Sequence, residues 1–266
     1  MINNAFVINL KKRKDRLQKF MKKNHNLHNI NIHIFEAIDL HNSIVNNNKT
    51  IYNNHQFDNR FINKFKGKIG EVGCFLSHYL LWKECIDRNE EILIFEDDCI
   101  VYDNFHILNS VLKKENVPND TEIIWVGTYQ PSKQHRDIYP KIIDFTKHFH
   151  KICLDYKQSI YTYCYIIYPK TAYKLCKIIE ETSCMQYNAV DHFLCTYTGN
   201  NNNHVIFTNN TSDIKNTFIC TAYQGDSDVQ NTPVISQIYE KTDKDKNKEK
   251  EEEKDEDEDV NKDKNN

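Results

Sequence analysis

Three acidic side chains in a row close an apolar run: Ile92-Leu93-Ile94-Phe95 leads straight into Glu96-Asp97-Asp98. Like charges this close repel, and the arrangement is costly unless water or a cation neutralises it. A hard divalent ion such as Mn2+ or Mg2+ prefers carboxylate oxygen. In an extended chain Glu96 and Asp98 share one side and Asp97 takes the other. An ion-free acidic turn after a strand is the competing reading of the same charges. A second group is Gly70-Glu71-Val72-Gly73-Cys74-Phe75-Leu76-Ser77-His78. Its two glycines are weak evidence for phosphate binding, and Ser77 and His78 fit either a ligand site or hydrogen-bonded positions in a helical core. A third group follows the apolar residues Phe6-Val7-Ile8, where Asn9, Arg13 and Arg16 stand in a basic stretch. These three could hold a nucleotide or form a solvated helix face.

The elements that carry these groups are legible from hydrophobic periodicity. Ala5 to Leu10 reads as a buried strand, and Leu17, Phe20 and Met21 repeat at helical spacing in the basic segment after it. Ile32 to Phe35 is a second short strand. Residues 41–66 are rich in Asn and read as a long irregular surface loop. Gly70 to Asp87 is the most helix-like segment, with Val72, Phe75, Leu76, Tyr79, Trp82 and Ile86 on one face. Ile92 to Phe95 has the unbroken apolar character of a central strand covered on both faces. Further strands are expected over Glu122 to Val126, ending at Gly127, and over Ile160 to Tyr168, His204 to Phe207 and Phe218 to Tyr223. Helices are expected over Thr171 to Glu181 and Val190 to Tyr197. Alternating strands and helices argue an α/β fold with a mainly parallel central sheet flanked by helices.

Composition narrows the functional classes. The 266 residues carry a formal net charge of -3, so no basic excess drives binding to nucleic acid. No stretch approaches the ~20 apolar residues of a transmembrane helix. Met1 to Leu10 is too short and polar for a signal peptide, which leads to a cytoplasmic expectation. Nine cysteines without CxxC pairs read as reduced, mostly buried thiols. Residues 241–266 hold 8 Lys against 12 Asp or Glu, with Val260 the only strongly apolar residue. Such a segment cannot bury enough apolar surface to offset its chain entropy. The expected organisation is one folded domain over 1–238 and a disordered charged tail over 239–266.

Taken together and in order, the motifs resemble glycosyltransferase family 25, which includes lipooligosaccharide galactosyltransferases and procollagen galactosyltransferase domains. The matching pieces are Val7-Ile8-Asn9-Leu10 with Arg13, Asp15 and Arg16; Phe35-Glu36-Ala37-Ile38-Asp39; the Gly70-to-His78 block with Leu81-Trp82; and Ile94 to Asp98. Tyr163 to Ile167 with Ala172 and Leu175, and Ala189-Val190-Asp191-His192-Phe193-Leu194, extend it. The resemblance implies a GT-A fold and an acidic metal motif at a strand end, here Glu96-Asp97-Asp98 with Glu in the first position. Asp98 is then the first metal ligand, with Glu96 direct or through water, and Asp97 faces the ribose or a structural partner. Asn9, Arg13 and Arg16 would lie near uridine or diphosphate, with Ser77 and His78 in the same binding set. The family implies a UDP-hexose donor, galactose before glucose, transfer with inversion, and a glycan or hydroxylated-lysine acceptor. Inversion needs a general base; Asp191 is the candidate, with His192 and Asp228 behind it, and a helix-capping Asp191 as the alternative. Gln224 to Gln230 would close over the donor, add a ligand or form a turn. Two rivals remain: a Mg2+-dependent phosphohydrolase built on the acidic triplet, and a non-catalytic binding protein acting through its acidic tail.

Overall fold

Alternation along four strands decides how the sheet is buried. Phe6, Ile8, Ile92, Ile94, Ile123, Trp125, Tyr165 and Ile167 share one apolar cluster. Their neighbours Ala5, Val7, Leu93, Phe95, Ile124, Cys164 and Ile166 fill a second. Side chains of a strand point alternately to opposite faces, so the two clusters are the two faces of one sheet. The structure is a computed structural model and describes residues 2–25, 27, 30–42, 44–46, 49–52, 55–115, 117, 119–126, 141–144, 149–153, 162–186, 189–199, 203–207 and 220–222.

The chain opens with β1 (Asn4–Asn9), α1 (Lys14–Lys23) and β2 (Asn31–Glu36). Three short strands follow, β3 (Ile44–Asn46), β4 (Lys49–Tyr52) and β5 (His55–Asp58), then the single turn α2 (Asn59–Ile62) and the long α3 (Ile69–Arg88). Next come β6 (Ile92–Glu96), β7 (Cys99–Val101), α4 (Ile107–Lys114) and β8 (Ile123–Trp125). The remainder is β9 (Lys141–Asp144), β10 (Phe149–Cys153), β11 (Cys164–Ile167), α5 (Pro169–Glu181), α6 (Val190–Tyr197), β12 (Asn203–Phe207) and β13 (Cys220–Ala222). Eight strands form the main sheet in the order β2-β1-β6-β11-β8-β12-β10-β9. Phe20 of α1 and Leu108 and Val111 of α4 cover one face. Buried residues of α3, α5 and α6 cover the other.

The helix-flanked α/β architecture is as expected, but the sheet is mixed rather than mainly parallel. Strand β1 is parallel to β2 and β6, and β8 to β12. Strand β11 runs antiparallel to both β6 and β8, and the β12-β10-β9 edge is antiparallel. A strand buried on both faces is a continuous apolar run whatever its direction, so its sequence does not carry that choice. Residues 41–66 also depart from the expected irregular loop: β3, β4 and β5 form a separate antiparallel sheet. Ile44-Val45, Thr50-Ile51-Tyr52 and Phe57 are β-prone residues set in an Asn-rich sequence, and the Asn abundance hid that pattern. The expected strand end at Gly127, Asp228, the Gln224-to-Gln230 segment and the tail lie outside the described residues.

Helix α3 approaches the segment after β2 very closely. A Cβ on Gly73 would stand 2.4 Å from the carbonyl oxygen of Ile38. One turn later the Ser77 hydroxyl accepts the Ile38 N–H at 2.8 Å and donates to the Gly73 carbonyl at 2.7 Å. Asn89 ends the helix in the left-handed region, φ 51. Among the described residues, no helix is long and apolar enough to cross a membrane.

Candidate active site

Strand β1 has β2 on one side and β6 on the other. The chain turns first one way and then the other from β1, and in open α/β sheets ligands gather at such a switch point, beyond the carboxyl ends of the strands. The residues at those ends are Asn9 and the turn Glu96-Asp97-Asp98. Strand β11 runs the opposite way, so its entry, Thr162 and Tyr163, reaches the same edge; the Glu96 N–H donates to the Tyr163 carbonyl at 3.0 Å.

The three carboxylates part company. Asp97 turns to the α1 side, where its Oδ2 accepts from Asn9 Nδ2 at 2.6 Å and its Oδ1 lies 2.6 Å from an Arg16 nitrogen. Asn9 also donates to the Arg13 carbonyl at 3.1 Å, fixing the entry to α1. The same Arg16 nitrogen stands 3.1 Å from Asp98 Oδ2. Glu96 continues the parity of Ile92 and Ile94 toward α3, where its Oε1 accepts from the Thr162 hydroxyl and faces His78 Nε2 at 3.4 Å. Asp98 therefore does not simply follow Glu96 to one side: residues 97 and 98 form a turn, and strand alternation ends with Glu96.

Charge in this cluster is out of balance. Burial pushes the Asp98 carboxyl up to about 7, helped by the neighbouring Glu96 charge and opposed by Arg16. Its Oδ1 is buried without a hydrogen-bond partner. Burial likewise raises Asp97, against the pull of Arg16 and Asn9. Burial also pushes on Glu96, but His78, Thr162 and Arg16 outweigh it and hold its pKa below the usual range. An orphaned carboxylate oxygen beside a second ionised carboxylate is what a hard cation relieves. The orphaned Asp98 Oδ1 thus fits an oxygen donor to a divalent ion, with Glu96 as the neighbouring carboxylate.

The glycine-and-histidine block separates into two faces of α3. Gly73 and Ser77 sit against Ile38, so the Ser77 hydroxyl is committed to the fold on both sides and is not offered to a ligand. Cys74 and His78, also one turn apart, face the acidic turn, and their ligating atoms lie within 4.8 Å of one another and of a Glu96 oxygen. His78 is fully buried, so it meets the site only through Glu96. Burial, then the charges of Glu96, Asp191, Asp98 and Asp97, push the Cys74 thiol well up, which sets Asp191 in the same electrostatic neighbourhood as the turn. Asp191 is not the helix cap: Ala189 holds that position without a side-chain bond, and Asp191 lies in the first turn with its Oδ1 accepting the His192 N–H at 2.8 Å. Arg13 pairs with Asp15 at 3.0 Å, and its charge also helps to lower the Asp97 pKa. Thr162 escaped sequence reasoning, and Tyr165 and Asp39 stood in matching motifs without an assigned role. Asp39 is buried and takes Lys12 Nζ at 2.9 Å, a pairing that the Phe35-to-Asp39 motif could have signalled.

Residues 2–194 match the family described as Glycosyltransferase family 25 (LPS biosynthesis protein). The chain belongs to glycosyltransferase family 25. It is 32% identical over 128 residues to procollagen galactosyltransferase 2 of Homo sapiens, covering 46% of this chain and 20% of that protein. It is 45% identical over 69 residues to lipooligosaccharide biosynthesis protein lex-1 of Haemophilus influenzae, covering 24% of this chain and 23% of that protein. The matches thus span less than a quarter of either relative's length. Among solved structures, a glycosyltransferase involved in glycosylation of the major capsid of PBCV-1 overlays 85% of this chain and 95% of its own, with a TM-score of 0.42 and 9% identity. So loose an overlay carries no argument about this family member. The acidic turn, Asn9, Arg16 and the Cys74–His78 face of α3 all lie within the residues that match the family.

Proposed function

We propose that this glycosyltransferase-family chain is a metal-dependent, inverting enzyme. It moves a hexose, galactose before glucose, from a UDP-sugar to a hydroxyl of a glycan or a hydroxylated lysine. The observation that carries the reading is Asp98: a half-buried carboxylate with one buried, orphaned oxygen, beside Glu96 and Arg16, at the switch point of the sheet. Family membership supplies the reaction class, and the names of the relatives favour galactose.

A sugar leaving UDP leaves negative charge on the diphosphate. Asp98 and Glu96 would hold a divalent cation, which would supply positive charge against the leaving diphosphate. Asn9 and Arg16 hold Asp97 and so fix the turn on which Asp98 stands. Arg16 also lies where a diphosphate oxygen approaching Asp98 would meet its guanidinium. Asp191 takes the proton of the acceptor hydroxyl as the new bond to the anomeric carbon forms.

The decisive experiment is a donor screen for UDP release with Mn2+, with Mg2+ and in excess EDTA, followed by NMR assignment of the product anomer. UDP release from UDP-galactose that needs the cation, with inverted product, is the expected result. Release of inorganic phosphate would instead support a phosphohydrolase, and silence with every donor and acceptor a binding protein. Glycan and hydroxylysine peptide acceptors then separate the two acceptor classes.

A further inference from the structure

Behind the acidic turn lie three fully buried polar side chains that the proposed mechanism does not use: Trp82 and His78 on α3 and Tyr165 on β11. The Tyr165 oxygen accepts from Trp82 Nε1 at 2.9 Å and lies 2.8 Å from His78 Nδ1. An indole N–H only donates, so the phenol oxygen is the acceptor in the first contact. Burial keeps the phenol protonated. Among the described residues, its proton has one acceptor within reach, His78 Nδ1. That places the imidazole proton on Nε2. The ring is stacked on Tyr165, with centroids 5.7 Å apart and planes at 23°, which fixes its direction. Nε2 is buried, faces Glu96 Oε1 at 3.4 Å without a well-formed hydrogen bond, and has no other partner.

We infer that Trp82, Tyr165 and His78 form a hydrogen-bond relay that positions Glu96 from the layer between the sheet and α3. All three are positioning residues. The relay and the Thr162 hydroxyl both act on Oε1, and Oε2 takes no hydrogen bond from a described residue, which leaves that oxygen for the cation. The inference rests on the metal-dependent reading above and deepens it.

The same atoms suggest a rival, a buried site for a softer ion on Cys74, His78 and Glu96. Ligation through Nε2 needs its lone pair, so the proton would move to Nδ1. The Tyr165 oxygen would then accept twice and its own proton would be buried without an acceptor. The existing bonds therefore oppose that site.

The test measures Mn2+ uptake in the presence of UDP, read from the electron paramagnetic resonance of free Mn2+, on the full chain. Tyr165→Phe deletes one oxygen and leaves the ring; its Mn2+ affinity should fall by about 10- to 100-fold, the usual effect of losing a partner behind a metal ligand. His78→Gln keeps an N–H near Nε2 and should retain most of the affinity, whereas His78→Leu should not. Equal Mn2+ uptake by wild type and a folded Tyr165→Phe overturns the relay. If Tyr165→Phe fails to fold, equal uptake by His78→Gln and His78→Leu does so. One Zn2+ retained per chain and lost in Cys74→Ser overturns it in favour of the softer site. A wild type that binds UDP but takes up no Mn2+ overturns the metal-dependent reading itself, and the relay with it.

Discussion

At the scale of single residues, the acidic turn joins function to stability with opposite signs. The Asp98 carboxyl is pushed up to about 7, first by burial and then by Glu96, well above the ordinary aspartate range. The folded chain therefore binds this proton more tightly than the unfolded chain. Stability is lost as pH rises from about 4 through 7, and the loss is complete above that. Asp98→Asn removes the penalty. In EDTA the variant should melt above wild type at pH 8 and level with it near pH 4. Added Mn2+ and UDP should raise the melting temperature of wild type, because binding to the native state stabilises it by mass action, but not that of the variant. A variant that melts below wild type at pH 8 would sink the electrostatic account. Asp191 gives a different signature. It lies in the first turn of α6 without capping it, so Asp191→Asn should leave the melting temperature within about 0.5 kcal/mol of wild type in stability terms. Transfer should fall by about 10²–10⁴, with UDP binding kept. Unchanged transfer in a folded variant would move the search to His192 and Asp228.

At the scale of elements, α3 is what the glycine-and-histidine block builds. Its interior glycine would ordinarily be a weakness, and Gly→Ala in a helix normally gains about 0.5–1 kcal/mol. At Gly73 the sign should reverse. The added Cβ would meet the Ile38 carbonyl at 2.4 Å, backbone against backbone, where neither side yields without moving α3 or the segment after β2. Overpacking of this kind costs about 1–3 kcal/mol. It would also strain the Ser77 bond to the Ile38 N–H and shift Cys74 and His78 relative to Glu96. Gly73→Ala is therefore expected to lower denaturant stability by that amount and weaken Mn2+ uptake together. A gain in stability would show that the helix and the segment can part without harm. The block joins two jobs on adjacent helix faces: one face docks the helix, and the other looks at the acidic turn.

At the scale of the whole molecule, the charged residues 241–266 are expected from composition alone to contribute neither to the core nor to the site. Deleting them should leave thermal melting and UDP-sugar turnover nearly unchanged; a fall of many degrees would move the domain boundary. The sequence alone determined β1, β2, β6, β8, β11 and β12, the helices α1, α3, α5 and α6, and the acidic turn at the end of β6, because strand and helix periods are local properties; it did not show α4 or the edge strands β9 and β10. It also carried the family, since Asn9, Gly73, His78 and Glu96-Asp97-Asp98 stand in a recognisable order. It could not distinguish Ser77 from His78. Only packing separates them: Ser77 bonds to the Ile38 N–H, and His78 faces Glu96. The direction of β11 was equally hidden. A strand buried on both faces has the same apolar pattern in either direction, yet its antiparallel entry is what delivers Thr162 to Glu96 and Tyr165 to His78. Those contacts span 66 and 87 residues of chain, and side chains so far apart meet only when the sheet brings their strands and helices together.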